Sequence, residues 1–147
     1  MENINKFKDV IVEMTQFFEE LTKLEEGKLQ AVTENNLKAL EDYMAKEQVG
    51  IMRLRVMEKK RDEIQTQLGF RGLSFREVID LLEGDVREDL TICYHRLADV
   101  LMQFNEVANS AKTAIETNLY SIEAILKRLK EKNGEQPSQS GFSSKRA

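Results

Sequence analysis

Apolar residues that recur at alternating steps of three and four residues constrain this chain more than any other feature. They run from Ile4 to Leu21 and again, over a longer stretch, from Leu90 to Leu129. This spacing places side chains on one face of a helix, whereas a half-buried strand requires strict alternation. Pro137 is the only proline, and the chain has seven glycines. A sheet protein of 147 residues would need more of these two residues to form the turns between its strands. The sequence therefore predicts an all-α chain.

Four helices are predicted from these periods and the breaks between them. Three are long, at about 3–32, 37–68 and 85–132, and a short one covers 75–82. Because helices joined by short links pack side by side in opposite directions, we expect an antiparallel helical bundle or coiled coil. Residues 1–132 would form one helical domain, followed by a disordered polar tail over 133–147.

The breaks carry recognisable capping signals. Residues 33–36, Thr-Glu-Asn-Asn, offer side chains that can cap the second helix, and Gly69 is placed for a left-handed cap after it. Ser74 and Glu77 have the spacing of a capping box, which predicts the start of the short helix.

The predicted apolar face of the second helix is interrupted by charge. It consists of Leu37, Leu40, Met44, Ile51 and Leu54, joined later by Met57, Ile64 and Leu68. Glu47, Glu58 and Arg61 fall on or beside this face. These long side chains either reach solvent from the edge of the face or form a buried ion pair that fixes the helix register.

The last helix is longer than any partner the chain can offer. At 1.5 Å per residue it would span about 70 Å, against about 50 Å and about 45 Å for the other two. About 20 Å, or roughly fourteen residues, must therefore bend back, fray or face something else. Candidate binding residues lie on this far half, at Val107, Ala111, Ala114, Ile115, Leu119, Ile122, Ile125, Leu126 and Leu129.

Composition excludes several classes of function. The formal net charge of −4 disfavours nucleic acid and anionic membranes, since both require a positive surface. One cysteine and one histidine cannot build an ordinary zinc site or an intramolecular disulfide. Charges within the first ten residues are unlike a signal peptide, and no apolar window is long enough to span a membrane. We expect a cytoplasmic protein without metal or cofactor.

Catalytic groups are also scarce. His95 begins a His-Arg-Leu sequence typical of histidine phosphotransfer domains, but Ala98 and Asp99 replace the lysine and glycine that those domains need. Cys93 lies about 200° from His95 around the helix, so the two cannot act as nucleophile and base. We therefore expect no enzymatic activity. We expect Cys93 to be a buried, unreactive thiol on the apolar face of the last helix, and His95 to point to solvent.

Several stretches, in order, resemble the FlgN family of flagellar export chaperones. Residues 24–40 are similar to the family's first turn, and Glu47-Gln48 with 57–63 resemble its mid-helix pattern. Leu68-Gly-Phe followed by 73–79 is similar to its break and short capped helix. The resemblance covers residues from about 5 to 130, and it is carried by the order and spacing of these pieces.

This resemblance implies a cytoplasmic chaperone that binds the C-terminal amphipathic helices of the hook–filament junction proteins FlgK and FlgL. It also implies delivery to the flagellar export gate, where the family commonly uses a C-terminal aromatic residue. Tyr120 and Phe142 are the candidates for that residue here. The far half of the last helix would then be the client groove.

Two other interpretations of that surface stay open at this stage. It could fold back as ordinary core, or it could be a self-association surface used when no client is bound. The alternative function is a self-associating coiled-coil structural or adaptor protein with no client, because the first helix has the cleanest heptads.

Overall fold

The computed structural model describes residues 2–132, except for the side chains at 2, 120–122, 125, 126 and 132. These residues form α1 (Glu2–Thr33), α2 (Leu37–Gln67), α3 (Phe75–Asp80) and α4 (Gly84–Lys132), and no strand is present among them. Three long helices and one short helix are therefore confirmed. The predicted tail over 133–147 lies outside the described residues.

Helix α1 lies between α2 and α4 and packs against both. It runs antiparallel to α2, since Glu13 pairs with Lys60 at one end and Lys28 with Glu47 at the other. Helix α4 runs in the same direction as α1, since Lys8 pairs with Asp89 near the start of both helices and Phe18 contacts Phe104 further along both. Within the described chain, no Cα atom of α2 comes within 8 Å of one in α4. The bundle is thus open on the side where α2 and α4 would meet.

The core is built mainly from the apolar face of α1, as its heptad pattern predicts. Phe7 is fully buried and meets the ring of Phe75 edge-on at 5.5 Å, and Phe18 meets Phe104 in the same way at 5.4 Å. Buried apolar residues from all four helices join this cluster: Ile4, Val10, Ile11, Met14, Phe17, Leu21, Met57, Ile64, Val78, Ile79, Leu90 and Leu97.

The predicted caps are confirmed. Asn36 accepts a hydrogen bond from the backbone N–H of Ala39 at 3.1 Å. Ser74 accepts from the N–H of Glu77, whose carboxylate accepts from the N–H of Ser74, both at 3.1 Å. Gly69 has φ +81°, the left-handed conformation expected just after α2.

Buried Gln65 holds the segment between α2 and α3. Its side-chain amide donates to the carbonyl oxygens of Phe70 at 3.0 Å and Leu73 at 2.7 Å. Arg61 donates in turn to the side-chain oxygen of Gln65 at 2.6 Å. These bonds satisfy backbone groups that the chain break leaves without helical partners. They fix the position from which the chain enters α3 and α4.

The predicted apolar face of α2 is wrong over its first half. Leu37, Met44 and Ile51 are exposed and Gly50 is buried instead, whereas Met57 and Ile64 of the second half are buried as predicted. A Cβ atom at Gly50 would lie 3.3 Å from Cδ1 of Leu21, so the absence of a side chain lets α1 approach closely here. Because a glycine contributes nothing to an apolar pattern, the sequence does not indicate that Gly50 belongs to the packed face in this first half.

Candidate functional site

The end of α1 divides α4 into a covered part and an overhang. Lys8 pairs with Asp89, and Phe18 contacts Phe104. Extending both registers at equal rise places the end of α1, Thr33, level with about residues 114–119 of α4. Helix α4 continues without interruption to Lys132. Roughly 13–18 residues, or about 20–27 Å, thus extend beyond α1, which agrees with the length mismatch expected from the sequence.

The candidate binding residues, which we call the α4 strip, run from Val107 to Leu129. They fall into two segments on either side of the level at which α1 ends. In the inner segment, Val107–Ile115, Ala111 is 0% exposed, while Val107, Ala114 and Ile115 are half-buried. Small side chains permit close approach of helices, and complete burial of Ala111 fits the place where α1 still runs alongside. Ala111 can therefore touch a partner only if the packing around it changes.

The outer segment, Leu119–Leu129, starts near the level where α1 ends and extends beyond it. Leu119 is half-buried and Leu129 is 51% exposed. The side chains of Ile122, Ile125 and Leu126 are among those that the structure does not describe. A shallow depression on this segment is lined by the charged residues Glu123, Lys127, Arg128 and Glu131 around Ala124. The outer segment thus combines apolar positions at helical spacing with a polar flank.

A cluster of three charged residues lies between α1 and α2, near the same end of the bundle. Lys28 Nζ lies 2.7 Å from Oε2 of Glu47 and 3.0 Å from Oε2 of Glu25. Glu25 and Lys28 are buried, and Glu47 is half-buried. Although Lys28 is near, Oε2 of Glu25 has no well-aligned hydrogen-bond donor. One ammonium group thus faces two carboxyl groups in an interior position.

Burial raises the pKa of Glu25 to about 7, and hydrogen bonding of its proton to Glu47 adds to this rise. For Glu47, burial acts in the same direction, but hydrogen bonds from Glu25 and Lys28 outweigh it and lower the pKa. Burial would lower the pKa of Lys28, yet its bonds to both carboxyl groups raise it. Below about pH 7 the cluster therefore holds a proton on Glu25, while Glu47 is ionised.

The sequence contained a signal for this cluster that apolar patterning overlooks. Glu25 and Lys28 continue the alternating steps of four and three from Leu21 and lead on to buried Val32. Glu47 is the partner, so the ion-pair interpretation holds for this residue. Glu58 is exposed, and half-buried Arg61 bonds to Gln65 instead.

Groups with catalytic potential are not brought together. His95 is exposed, as expected, and its ring meets that of Tyr94 edge-on with the ring centroids 5.6 Å apart. Cys93 is half-buried rather than buried, beside a cavity of about 170 Å³ between α1 and α4 that Arg96 also lines. Among the described residues, no group of histidine, cysteine, aspartate or glutamate side chains could hold a metal ion. None of the described helices has the length and apolarity needed to cross a bilayer.

Comparison with known protein families gives a match over most of the chain. The family described as FlgN protein matches residues 1–140. The curated proteins and the solved structures give no match to the chain. The family match covers the whole helical region, including both segments of the α4 strip. The chain therefore belongs to the FlgN family.

Proposed function

We propose that this protein is a cytoplasmic chaperone of flagellar export that binds the C-terminal amphipathic helices of FlgK and FlgL along the α4 strip. Family membership implies a flagellar export chaperone rather than an enzyme. The observation that carries the proposal is the extension of α4 beyond α1 with apolar positions at helical spacing. The chaperone would prevent premature assembly of its clients and aid their delivery to the export gate.

The strip has the chemistry that a client helix needs. An amphipathic helix binds by inserting anchors at steps of three and four residues into an apolar surface. Leu119 and Leu129 supply such a surface near and beyond the end of α1, and the flank of Glu123, Lys127, Arg128 and Glu131 keeps it hydrated. The inner segment would take part only where its half-buried residues remain accessible. Gate docking through Tyr120 or Phe142 stays a proposal, since both side chains lie outside the description.

The test is co-purification of the full chain with the C-terminal region of FlgK or FlgL. Leu119→Gln with Leu126→Gln should abolish recovery of the client while helix content by circular dichroism is retained. Ile92→Gln with Met102→Gln is the matched control, because these exposed apolar residues lie on α4 outside the strip, and it should bind normally. Full binding by the Leu119–Leu126 variant, or its unfolding, would overturn the assignment of the strip.

Self-association is the alternative use of the same surface. Sedimentation of the free protein over a range of concentrations distinguishes the two. A chaperone should exchange any contacts between its own copies for contacts with the client. Addition of client should therefore convert any oligomer into a chaperone–client complex whose mass does not depend on concentration. Persistence of the oligomer on dilution, with no client uptake, would favour the coiled-coil structural protein.

A further inference from the structure

Helix α2 carries an exposed apolar strip to one side of the face that packs on α1. Val49, Met52 and Val56 are 66%, 67% and 68% exposed, and they follow one another at steps of three and four. At about 100° per residue they lie about 80–140° around the helix from the mean direction of Gly50, Met57 and Ile64, which α2 buries. They therefore form a continuous ridge in solvent, which we name the α2 ridge, and no core packing accounts for it.

Cations border the α2 ridge on both sides. Positions three or four residues apart are neighbours on a helix, which places Lys46 and Arg53 next to Val49 and places Lys59 and Lys60 next to Val56. Arg55 is the corresponding neighbour of Met52. All of these side chains are exposed. The protein as a whole is acidic, so this basic border is a local departure from its average charge.

The acids of this stretch lie elsewhere. Between residues 45 and 60 they are Glu47, which faces Lys28, and Glu58, which follows Leu54 on another side of the helix. Arg53 and Lys60 lie 3.5 Å and 3.7 Å from exposed Glu20 and Glu13 of α1. Glu58 lies three residues from Arg55, and Asp62 and Glu63 lie three and four residues from Lys59. Neither cation forms an ion pair within the described chain. One border of the ridge thus presents cations that are available to a partner.

We propose that the α2 ridge is a second docking surface, separate from the α4 strip, that takes an acidic amphipathic helix of another protein. The apolar anchors of such a helix would pack on Val49, Met52 and Val56, and its acidic flanks would face Arg55 and Lys59. Methionine suits this role because its flexible thioether adapts to different partners. Charge complementarity selects an acidic helix over a neutral or basic one.

The same features argue against a membrane surface as the occupant. Helices that lie in a bilayer interface bury large apolar side chains such as Trp, Phe and Leu. The α2 ridge presents two valines and one methionine, and the net charge of −4 opposes approach to an anionic bilayer. A protein helix is therefore the occupant to which the proposal commits.

Two synthetic helices and the full chain provide the test. Both peptides have about 20 residues, long enough to be helical, with leucine at heptad positions and either glutamate or lysine on the flanks. Binding is followed by fluorescence anisotropy and mapped by amide chemical shifts. We expect the glutamate peptide to bind about tenfold or more tightly than the lysine peptide, with shifts centred on α2 and weakening at high salt.

Two variants isolate the ridge and its border. Val49→Gln, Met52→Gln and Val56→Gln together should reduce binding about tenfold or more without changing thermal unfolding, since glutamine favours helix. Arg55→Glu with Lys59→Glu should invert the preference between the peptides. The matched charge control is Lys23→Glu with Lys112→Glu, at exposed sites on α1 and α4, and it should keep the original preference.

Several outcomes would overturn the proposal. These are equal binding of the two peptides, shifts confined to α4, unchanged binding by the triple variant, or binding to phosphatidylglycerol vesicles without binding to the glutamate peptide. The test is independent of the client assignment, because the Leu119–Leu126 variant should bind the glutamate peptide normally. Failure of one surface therefore leaves the other unaffected.

Discussion

The two halves of α4 have the same sequence pattern and different surroundings. In the first half, Leu90 and Leu97 are buried and Phe104 packs against Phe18 of α1. In the second half the spacing of three and four residues continues, yet Leu119 is half-buried and Leu129 is 51% exposed. The difference arises because α1 ends at Thr33. Periodicity thus shows which face is apolar, and the length of the neighbouring helix decides whether that face becomes core.

The largest test of this comparison removes one leucine from each half. Leu90→Ala should lower the free energy of unfolding by about 2–5 kcal/mol, because it removes buried contacts and leaves a cavity. Leu119→Ala should cost less than about 1 kcal/mol, since little packing is lost and alanine favours helix. Urea denaturation measures both. Equal costs would mean that the second half of α4 is packed as core.

A second test uses the proton held where α1 and α2 pack near the end of the covered region. Because the pKa of Glu25 is raised to about 7 in the folded protein, the folded state keeps a proton that the unfolded state loses above its ordinary value of 4.5. Stability should therefore fall by about 3 kcal/mol as pH rises from about 4.5 to 7, and it should level off above that range.

Glu25→Gln should remove this pH dependence, since an amide stays neutral and can still donate to Glu47. Urea denaturation at several values between pH 4.5 and 8 provides the measurement, and Glu26→Gln, at an exposed neighbouring position, is the control. A slope that persists in Glu25→Gln would assign the proton to another group. A wild-type protein with no slope would place Glu25 in a solvated position.

The smallest test concerns the start of the segment that leads into α4. Ser74→Ala removes the acceptor for the N–H of Glu77 and should cost about 1 kcal/mol. Ser110→Ala is the matched control, because that exposed hydroxyl bonds only to the carbonyl of Glu106 within its own helix. Thermal unfolding compares the two variants. If both behave alike, the capping box does not help to position the covered half of α4.

Much of the fold could be predicted because local rules govern it. The cap at Asn36, the left-handed Gly69 and the Ser74–Glu77 box depend on residues within one turn of each other. Two positions on the packed face of α2 could not be predicted in the same way. Gly50 reaches the core through the absence of a side chain, and Gln65 is buried because it bonds to Phe70 and Leu73. Neither residue contributes to an apolar pattern.

The candidate site shows the same division. The overhang of α4 followed from helix lengths alone, and family membership followed from the order of short segments. Burial of Ala111 and the exposure of Val49, Met52 and Val56 could not be inferred, because they depend on where a second helix lies. For the Glu25–Lys28–Glu47 cluster, the sequence predicted only that Glu47 either reaches solvent or forms a buried ion pair. Its geometry required the register between α1 and α2.

By itself, the sequence determined the helices, their caps and the excess length of α4. These properties depend on composition, spacing and contacts within one turn of the chain. Tertiary structure alone decided that α1 is central, that α2 and α4 stay apart, and which apolar residues remain in solvent. The physical reason is that burial belongs to pairs of surfaces, and a helix sequence describes only one member of each pair.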